Sequence, residues 1–189
     1  MNTVILVTIL FAATGIVVYL VTIFNGLVAL NNDIDKAWSN IDIMLKQRHD
    51  ELPKLLDVCK GYMNFEGDTL QKITQARGQY QQASSIDQKA QAAQSMASAL
   101  RGVFAVAENY PDLKANSNFM QLEKRITDLE NQIADRREFY NDSVNTFNIR
   151  IQQMPDTFVA SFMSLHARPL FKVEETDKAD VPMSFAASR

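Results

Sequence analysis

The chain opens with an apolar segment long enough to cross a membrane. The 21 residues from Val4 to Phe24 include no charged side chain, and the first charged residue is Asp33. A helix of that length rises about 32 Å, enough for a hydrocarbon core of roughly 30 Å. A cleaved signal peptide is disfavoured because no Lys or Arg precedes the segment and no Ala-x-Ala follows it. The pattern predicts a retained transmembrane anchor over residues 1–26.

The apolar positions after this anchor follow the spacing of a helix that packs along one face. The intervals alternate between four and three residues, as in a coiled coil, and Arg48 occupies one of these positions. The apolar members are Ile34, Trp38, Ile41, Leu45, Leu52, Leu55, Cys59 and Tyr62. No strong helix breaker separates Phe24 from Asp33, which leaves room for the anchor to continue into this helix. We expect Pro53 to kink it.

Two further helical segments follow, each with its own boundary signals. Gly61 and Gly67 bracket a break, and Ser85 with Gln88 has the spacing of a capping box at a helix start. The helix that begins there should end before Tyr110–Pro111, because a residue that precedes proline avoids the α region. A short loop is expected over residues 112–117.

The longest pattern is a heptad repeat in the second half of the chain. Its apolar positions, seven residues apart, are Phe119, Ile126, Ile133, Tyr140, Phe147 and Met154. Asn118 with Gln121 is a candidate cap for its start, and Pro155 is expected to end it. Asp156 is expected to cap a short amphipathic helix that contains Phe158 and Phe162.

These elements predict an all-α protein. An N-terminal transmembrane helix would be followed by an antiparallel bundle of three to four long helices over residues 27–167. Residues 168–189, which hold two prolines and scattered charges, are expected to form an extended or disordered tail. Sustained apolar–polar alternation of the kind that marks a strand does not occur outside the anchor.

Charge excludes some partners and gives a weak orientation signal. The net charge is −3, with acidic and basic residues interspersed, so no basic face for nucleic acid is expected. Lys36, Lys46 and Arg48 follow the span and no Lys or Arg precedes it. The positive-inside rule therefore favours an N-terminus outside and the bulk of the chain in the cytoplasm. The single cysteine, Cys59, cannot form an internal disulfide, which fits a reducing compartment.

Catalytic patterns are missing from the sequence. The two histidines, His49 and His166, lack the Glu-x-x-His partner of a di-metal bundle site. Zinc motifs, a phosphate-binding glycine loop and a Gly-x-Ser-x-Gly elbow are also absent from the sequence. We therefore expect no enzyme activity, no cofactor and no bound metal.

Three residues of the first bundle helix are candidates for a structural or interaction role. Arg48 lies among apolar positions, so its guanidinium must either extend to solvent or meet a carboxylate. A paired arginine would be structural, and the alternative is a contact that sets register or docks a partner. His49 suits a surface or interhelical hydrogen bond, and Trp38 suits the helical core or an interfacial belt.

The segment Tyr110–Asn116 is the other candidate. It combines a helix stop, a turn and a helix start: Pro111 fixes a backbone angle, Asp112 favours a turn and Asn116 offers a cap. These residue types are explained by structure alone. The functional alternative is that this ordered, polar bundle tip docks a partner.

Several blocks of the sequence resemble the LemA family. The first block is Ala37–Asp42 followed by Leu45–Asp50, and the second, which resembles the family's most recognisable loop, is Ala107–Asn116. Glu130–Ala134 and Tyr140–Asn141 follow in the family's order. The resemblance implies a bacterial membrane protein with one N-terminal span and an antiparallel helical domain, without catalytic residues to carry over.

Two positions depart from the family pattern. Phe65 stands where a histidine commonly precedes the glutamate, and the stretch 165–169 differs from the usual aromatic, lysine-rich sequence. Any role that the family gives those positions is therefore not carried over to this chain.

The sequence favours a membrane-anchored scaffold or adaptor at the bacterial cytoplasmic membrane. Its expected partners are the lipid bilayer and a membrane or cytoplasmic protein, with pairing to a second copy of the chain as a further option. The alternative is a membrane-shaping or lipid-organising protein in which the short helix around Phe158–Leu165 lies on the bilayer. An enzyme or metal-binding subunit ranks third.

Overall fold

A computed structural model describes residues 2–63 and 66–172, and these residues form six helices and no strand. The bounds are α1 Asn2–Lys60, α2 Gly67–Gln82, α3 Ile86–Ala107, α4 Pro111–Lys114, α5 Ser117–Arg150 and α6 Asp156–Phe162. The predicted all-α class, with a long N-terminal helix followed by several packed helices, is confirmed. The break between Gly61 and Gly67 and the end of α3 before Tyr110 also lie where the sequence predicts them.

Helix α1 is a single continuous helix of 59 residues. Its first part is apolar and exposed, and the first buried side chain is that of Ile23. Within the described residues, α1 is the one helix long and apolar enough to cross a membrane. The structure is therefore consistent with a single-pass anchor that continues without interruption into the first helix of the bundle.

The remaining helices pack around the second part of α1. α5 runs along α1, α2 packs on α3, and α6 contacts α1. α1 and α5 are antiparallel, because Trp38 contacts Tyr140 whereas Arg48, further along α1, contacts Glu130.

The buried apolar residues form two clusters along the bundle axis. The cluster nearer the anchor, here the proximal cluster, includes Ile23, Leu27, Ile34, Ile41, Leu45, Tyr140, Val144, Phe147, Val159 and Phe171. The distal cluster includes Leu52, Leu55, Cys59, Met63, Ile73, Met96, Leu100, Val103, Phe119 and Ile126. Between them lies the one predicted apolar-face position of α1 that is occupied by a charged residue, Arg48.

The heptad prediction for α5 is confirmed except at its end. Its first five positions, from Phe119 to Phe147, are buried, whereas Met154 is 71% exposed. Helix α5 ends at Arg150, five residues before Pro155, and the amides of residues 152 and 153 donate to carbonyls of residues 149 and 150. The predictions that Met154 is a core position and that Pro155 ends the helix are therefore wrong.

Side-chain caps confirm one predicted helix start and correct another. The amide of Gln88 donates to Ser85 Oγ at 3.2 Å and the amide of Ser85 donates to Gln88 Oε1 at 3.3 Å, which is the predicted capping box. Helix α5 is capped by Asn116, whose Oδ1 accepts from the amides of Asn118 and Phe119 at 2.9 and 3.2 Å. The prediction of Asn118 as the cap is wrong, since Asn118 already lies inside the helix.

Two further local predictions need correction. The segment expected to be a loop over residues 112–117 overlaps the single-turn helix α4, Pro111–Lys114. Asp156 is the first residue of α6 and not its cap, because its carboxylate accepts from Arg150 Nε at 2.7 Å.

The segment after α6 is extended, and it is packed on the bundle. Asn141 and the backbone of Phe171 exchange two hydrogen bonds, and Asn148 and the backbone of Arg168 exchange two more. The phenyl ring of Phe171 is 1% exposed in the proximal cluster. The core of the helical domain therefore continues past the expected boundary at residue 167, and the rest of the expected tail, 173–189, lies outside the described residues.

Candidate functional site

Arg48 joins three helices from a buried position. Its Nη1 donates to Glu130 Oε1 on α5, and its Nη2 donates to the carbonyl oxygen of Ala93 on α3 at 3.1 Å. The side chain is almost completely buried. Of the two outcomes expected for this arginine, the structure therefore shows pairing with a carboxylate.

Two opposing effects act on the pKa of Arg48. Burial lowers the pKa of Arg48, while the charge of Glu130 and its hydrogen bond raise it. Burial lowers the pKa of Arg137, and the positive charge of nearby Arg48 lowers it further. The guanidinium carbon of Arg137 stands 4.8 Å from the centre of the Phe171 ring, a favourable cation–π geometry.

His49 is buried beside Arg48 and contacts another helix. Its ring centre lies 5.2 Å from that of Tyr80 on α2, and its Nδ1 is 3.2 Å from Asp50 Oδ1. Burial, together with the charge of Asp42 and a hydrogen bond to it, raises the pKa of Tyr80 to about 12. The imidazole thus serves as an interhelical packing group.

Trp38 belongs to the core of the bundle and not to an interfacial belt. Its ring lies 5.9 Å from the rings of both Tyr140 and Phe171. Lys89 Nζ stands 5.8 Å above the indole and also pairs with Asp42 Oδ1 at 2.5 Å. The side chain is partly buried against the proximal cluster.

The Tyr110–Asn116 segment forms the tip of the bundle, at the end distant from the apolar part of α1. Tyr110 precedes α4, Pro111 is its first residue, and the Tyr110 hydroxyl donates to Glu66 Oε1 at 3.4 Å. Asn116 Nδ2 donates to the hydroxyl of Tyr62 at 3.1 Å, so the tip is tied to the end of α1. Asp112 is exposed.

The candidate residues therefore fall into two groups that do not meet. Trp38, Arg48 and His49 serve the interior of the bundle, whereas the tip segment is bonded to Tyr62 and Glu66, which follow α1. Arg48 and the end of α1 at Lys60 are separated by 12 residues, or about 18 Å at helical rise.

Sequence reasoning did not single out the partners of the buried charges. Glu130 was detectable in principle, because it lies four residues after Ile126 and three before Ile133 on the packed face of α5. Glu51 was missed as well; it is 3% exposed and is held by Lys54 at 2.8 Å and Arg125 at 2.7 Å. A buried arginine on one helix is a reason to look for a carboxylate on the apolar face of its neighbour.

The chemistry available to these groups is limited. In the part of the chain that the structure describes, no three His, Cys, Asp or Glu side chains gather where they could hold a metal ion. Cys59 is buried, and burial raises the pKa of its thiol to about 11. An open groove between α2 and α3 is lined chiefly by Gln, Ser and Ala side chains. The arrangement stabilises a bundle and exposes polar surfaces.

A helical bundle built on one long apolar N-terminal helix is the class of protein that this fold and these contacts define. Residues 37–185 match the family model described as the LemA family, and the chain belongs to that family. The resemblance seen in the sequence blocks is confirmed.

Proteins of three bacteria are similar to this chain in sequence. Protein LemA of Metamycoplasma hominis is 33% identical over 165 residues, which cover 85% of this chain and 74% of that protein. Magnetosome protein MamQ 2 of Paramagnetospirillum magneticum is 29% identical over 85 residues, 45% of this chain and 30% of that protein. Magnetosome protein MamQ of Magnetospirillum gryphiswaldense is 31% identical over 62 residues, 33% of this chain and 23% of that protein.

Proposed function

We propose that this LemA-family chain is a membrane-anchored scaffold or adaptor that presents its bundle to other proteins at the bacterial cytoplasmic membrane. The observation that carries the proposal is the continuity of α1 from its exposed apolar part to the end of the bundle. A continuous helix holds the bundle upright more firmly than a flexible linker would. From Gly26 to Lys60 the helix rises about 51 Å, which sets the reach of the tip from the bilayer.

The distribution of charged groups supports a docking surface at the tip. Arg48 and Glu51 are buried and have partners within the bundle. At the tip, by contrast, Lys114 and Glu108 form a pair on the exposed surface, and Asp112 is exposed beside them. A partner with a complementary polar surface suits this end of the molecule.

The proposed orientation places the bundle in the cytoplasm and the start of α1 outside. Lys36 and Lys46 are exposed on the bundle side of the apolar segment. Positively charged residues next to a span favour the cytoplasmic side.

In this proposal the chain is not an enzyme and needs no cofactor. His49 packs against Tyr80, and the Cys59 thiol is held in its neutral form by burial. Elemental analysis that found a stoichiometric metal in the purified protein would contradict this part of the proposal.

Site-specific photocrosslinking in intact membranes tests the docking surface. A photoreactive amino acid replaces Asp112 at the tip in the full-length chain, and a matched variant carries it at Asp128, which is exposed on α5. We expect a discrete adduct, with another protein or a second copy of the chain, from position 112 and none from position 128.

Two further results would decide the matter. Lys114→Glu reverses a charge at the tip and should reduce the position-112 adduct. A chain that is strictly monomeric in mild detergent and gives no adduct from position 112 would overturn the scaffold proposal.

A further inference from the structure

Helix α6 presents two large apolar side chains to its surroundings. Phe158 is 65% exposed and Phe162 is 87% exposed, and Met154, just before the helix, is 71% exposed. The two phenylalanines are four residues apart and so share one face of α6. The opposite face is buried through Val159 and Ala160. An exposed pair of phenylalanines on such a short element marks a contact surface.

The position of α6 along α1 fixes the depth of this surface. α6 packs on α1, and its buried residues Val159 and Ala160 belong to the proximal cluster, which extends along α1 from Ile23 to Leu45. The cluster begins beside Phe24, where the predicted span ends.

The contacts of Arg150 fix the level of α6 along α1. The Arg150 guanidinium lies against Gly26, where an added Cβ would stand 3.2 Å from Nη2, and Arg150 Nε pairs with Asp156 at the start of α6. Gly26 is two residues past Phe24, or about 3 Å of helical rise. If α1 crosses the membrane, α6 therefore lies where the helix leaves the hydrocarbon.

Lipid is the occupant that this geometry favours. Two α1 residues on either side of Gly26, Phe24 and Val28, are also exposed and apolar. Two nearby arginines are already paired within the chain, Arg150 with Asp156 and Arg168 with Asp35 at 2.6 Å. Contact should therefore depend on apolar insertion and not on anionic headgroups, and aromatic side chains favour that boundary of the bilayer.

We propose that α6 rests on the bilayer with Phe158 and Phe162 inserted between headgroups and acyl chains. The lipid contact of α6 gives the rigid chain a second point of attachment to the bilayer and so limits the tilt of α1 and the bundle together. The inference rests on the membrane span in the proposed function and adds a lipid-contacting site to it.

Quenching by brominated phosphatidylcholine tests the contact in the full-length chain. Single tryptophans are placed by Phe158→Trp and by Phe162→Trp in a Trp38→Phe background. Phe11→Trp, within the apolar segment, reports on the span itself. Phe139→Trp is the matched control: Phe139 is 56% exposed and precedes Tyr140, which contacts Trp38, 12 residues or about 18 Å beyond Gly26. A parallel series that retains Trp38 controls for any unfolding that the Trp38→Phe change itself causes.

The outcomes separate the contact from the anchor. We expect the tryptophans at 158 and 162 to be blue-shifted and to lose about half or more of their emission in brominated vesicles, as an interfacial aromatic would. The tryptophan at 139 should keep its emission. Quenching at 11 without quenching at 158 and 162 would overturn the α6 contact and leave the span intact. No quenching at 11 would overturn the span and the contact together.

Discussion

The guanidinium of Arg48 and the carboxylate of Glu130 pair across α1 and α5 although the two residues are 82 positions apart in the chain. Arg48 is 1% exposed, whereas 32% of the Glu130 side chain is exposed. Removing the carboxylate leaves a buried charge without its partner. We expect Glu130→Ala to lower the free energy of unfolding by about 2 kcal/mol. That is less than the roughly 3–5 kcal/mol of a fully buried pair, because water already reaches Glu130.

Chemical unfolding of the full-length chain in detergent, followed by helical circular dichroism, measures this effect. Glu108→Ala is the control, because it removes an exposed ion pair with Lys114 and should cost under about 1 kcal/mol. The double variant Arg48→Met/Glu130→Leu should recover most of the stability by replacing the pair with apolar packing. Equal losses of unfolding free energy from Glu130→Ala and Glu108→Ala would show that the buried pair stabilises the bundle no more than the exposed pair.

Phe171 makes the extended segment after α6 part of the core. Its ring packs against Trp38 and beneath the guanidinium of Arg137. We expect Phe171→Ala to cost about 3–5 kcal/mol, as for other buried phenylalanines, because the lost ring leaves a cavity in the proximal cluster. Thermal unfolding in detergent micelles provides the measurement.

Phe162→Ala is the matched control for that loss, since it deletes the same side chain from an exposed position. Its effect on unfolding in detergent should stay within about 0.5 kcal/mol. A Phe171→Ala variant as stable as Phe162→Ala would mean that the segment 168–172 does not hold the bundle together.

The elements that the sequence predicts well are those set by periodicity and local capping. The uncharged segment, the alternating apolar positions from Ile34 to Cys59 and the heptads from Phe119 to Phe147 each follow from which side chains water excludes. The Ser85 capping box is equally local, because its two hydrogen bonds join residues three apart.

The features that the sequence predicts poorly depend on contacts between distant residues. Asn116 and Asn118 offer the same capping group, and the choice between them depends on how Tyr62 and α4 hold the chain. The sequence around Phe171 resembles a polar tail, and the residue is held in the core by hydrogen bonds between its backbone and Asn141 on α5. The pairing of Arg48 with Glu130 likewise requires the register of α1 against α5, which no local pattern contains.

Ser85 should stabilise the start of α3 by a measurable amount. Its hydroxyl accepts from the amide of Gln88, which has no carbonyl partner within the helix. Ser85→Ala should lower the free energy of unfolding by about 1 kcal/mol. Ser95→Ala, an exposed change inside the same helix, should be neutral or slightly stabilising because alanine has the higher helix propensity. Equal losses from the two variants would contradict the cap.

Cys59 should make the bundle sensitive to alkaline pH. Burial raises the pKa of its thiol from 9.0 to about 11, so the folded chain keeps a proton that the unfolded chain releases. Stability from this group is therefore complete below pH 9 and is lost as the pH rises from 9 towards 11. Unfolding of the full-length chain over that range, compared with Cys59→Ala, isolates the contribution, because Tyr80, whose pKa is raised to about 12, titrates in both proteins. The stability of the unmodified chain should fall more steeply than that of the variant, and parallel curves would show that the thiol ionises as freely in the bundle as in water.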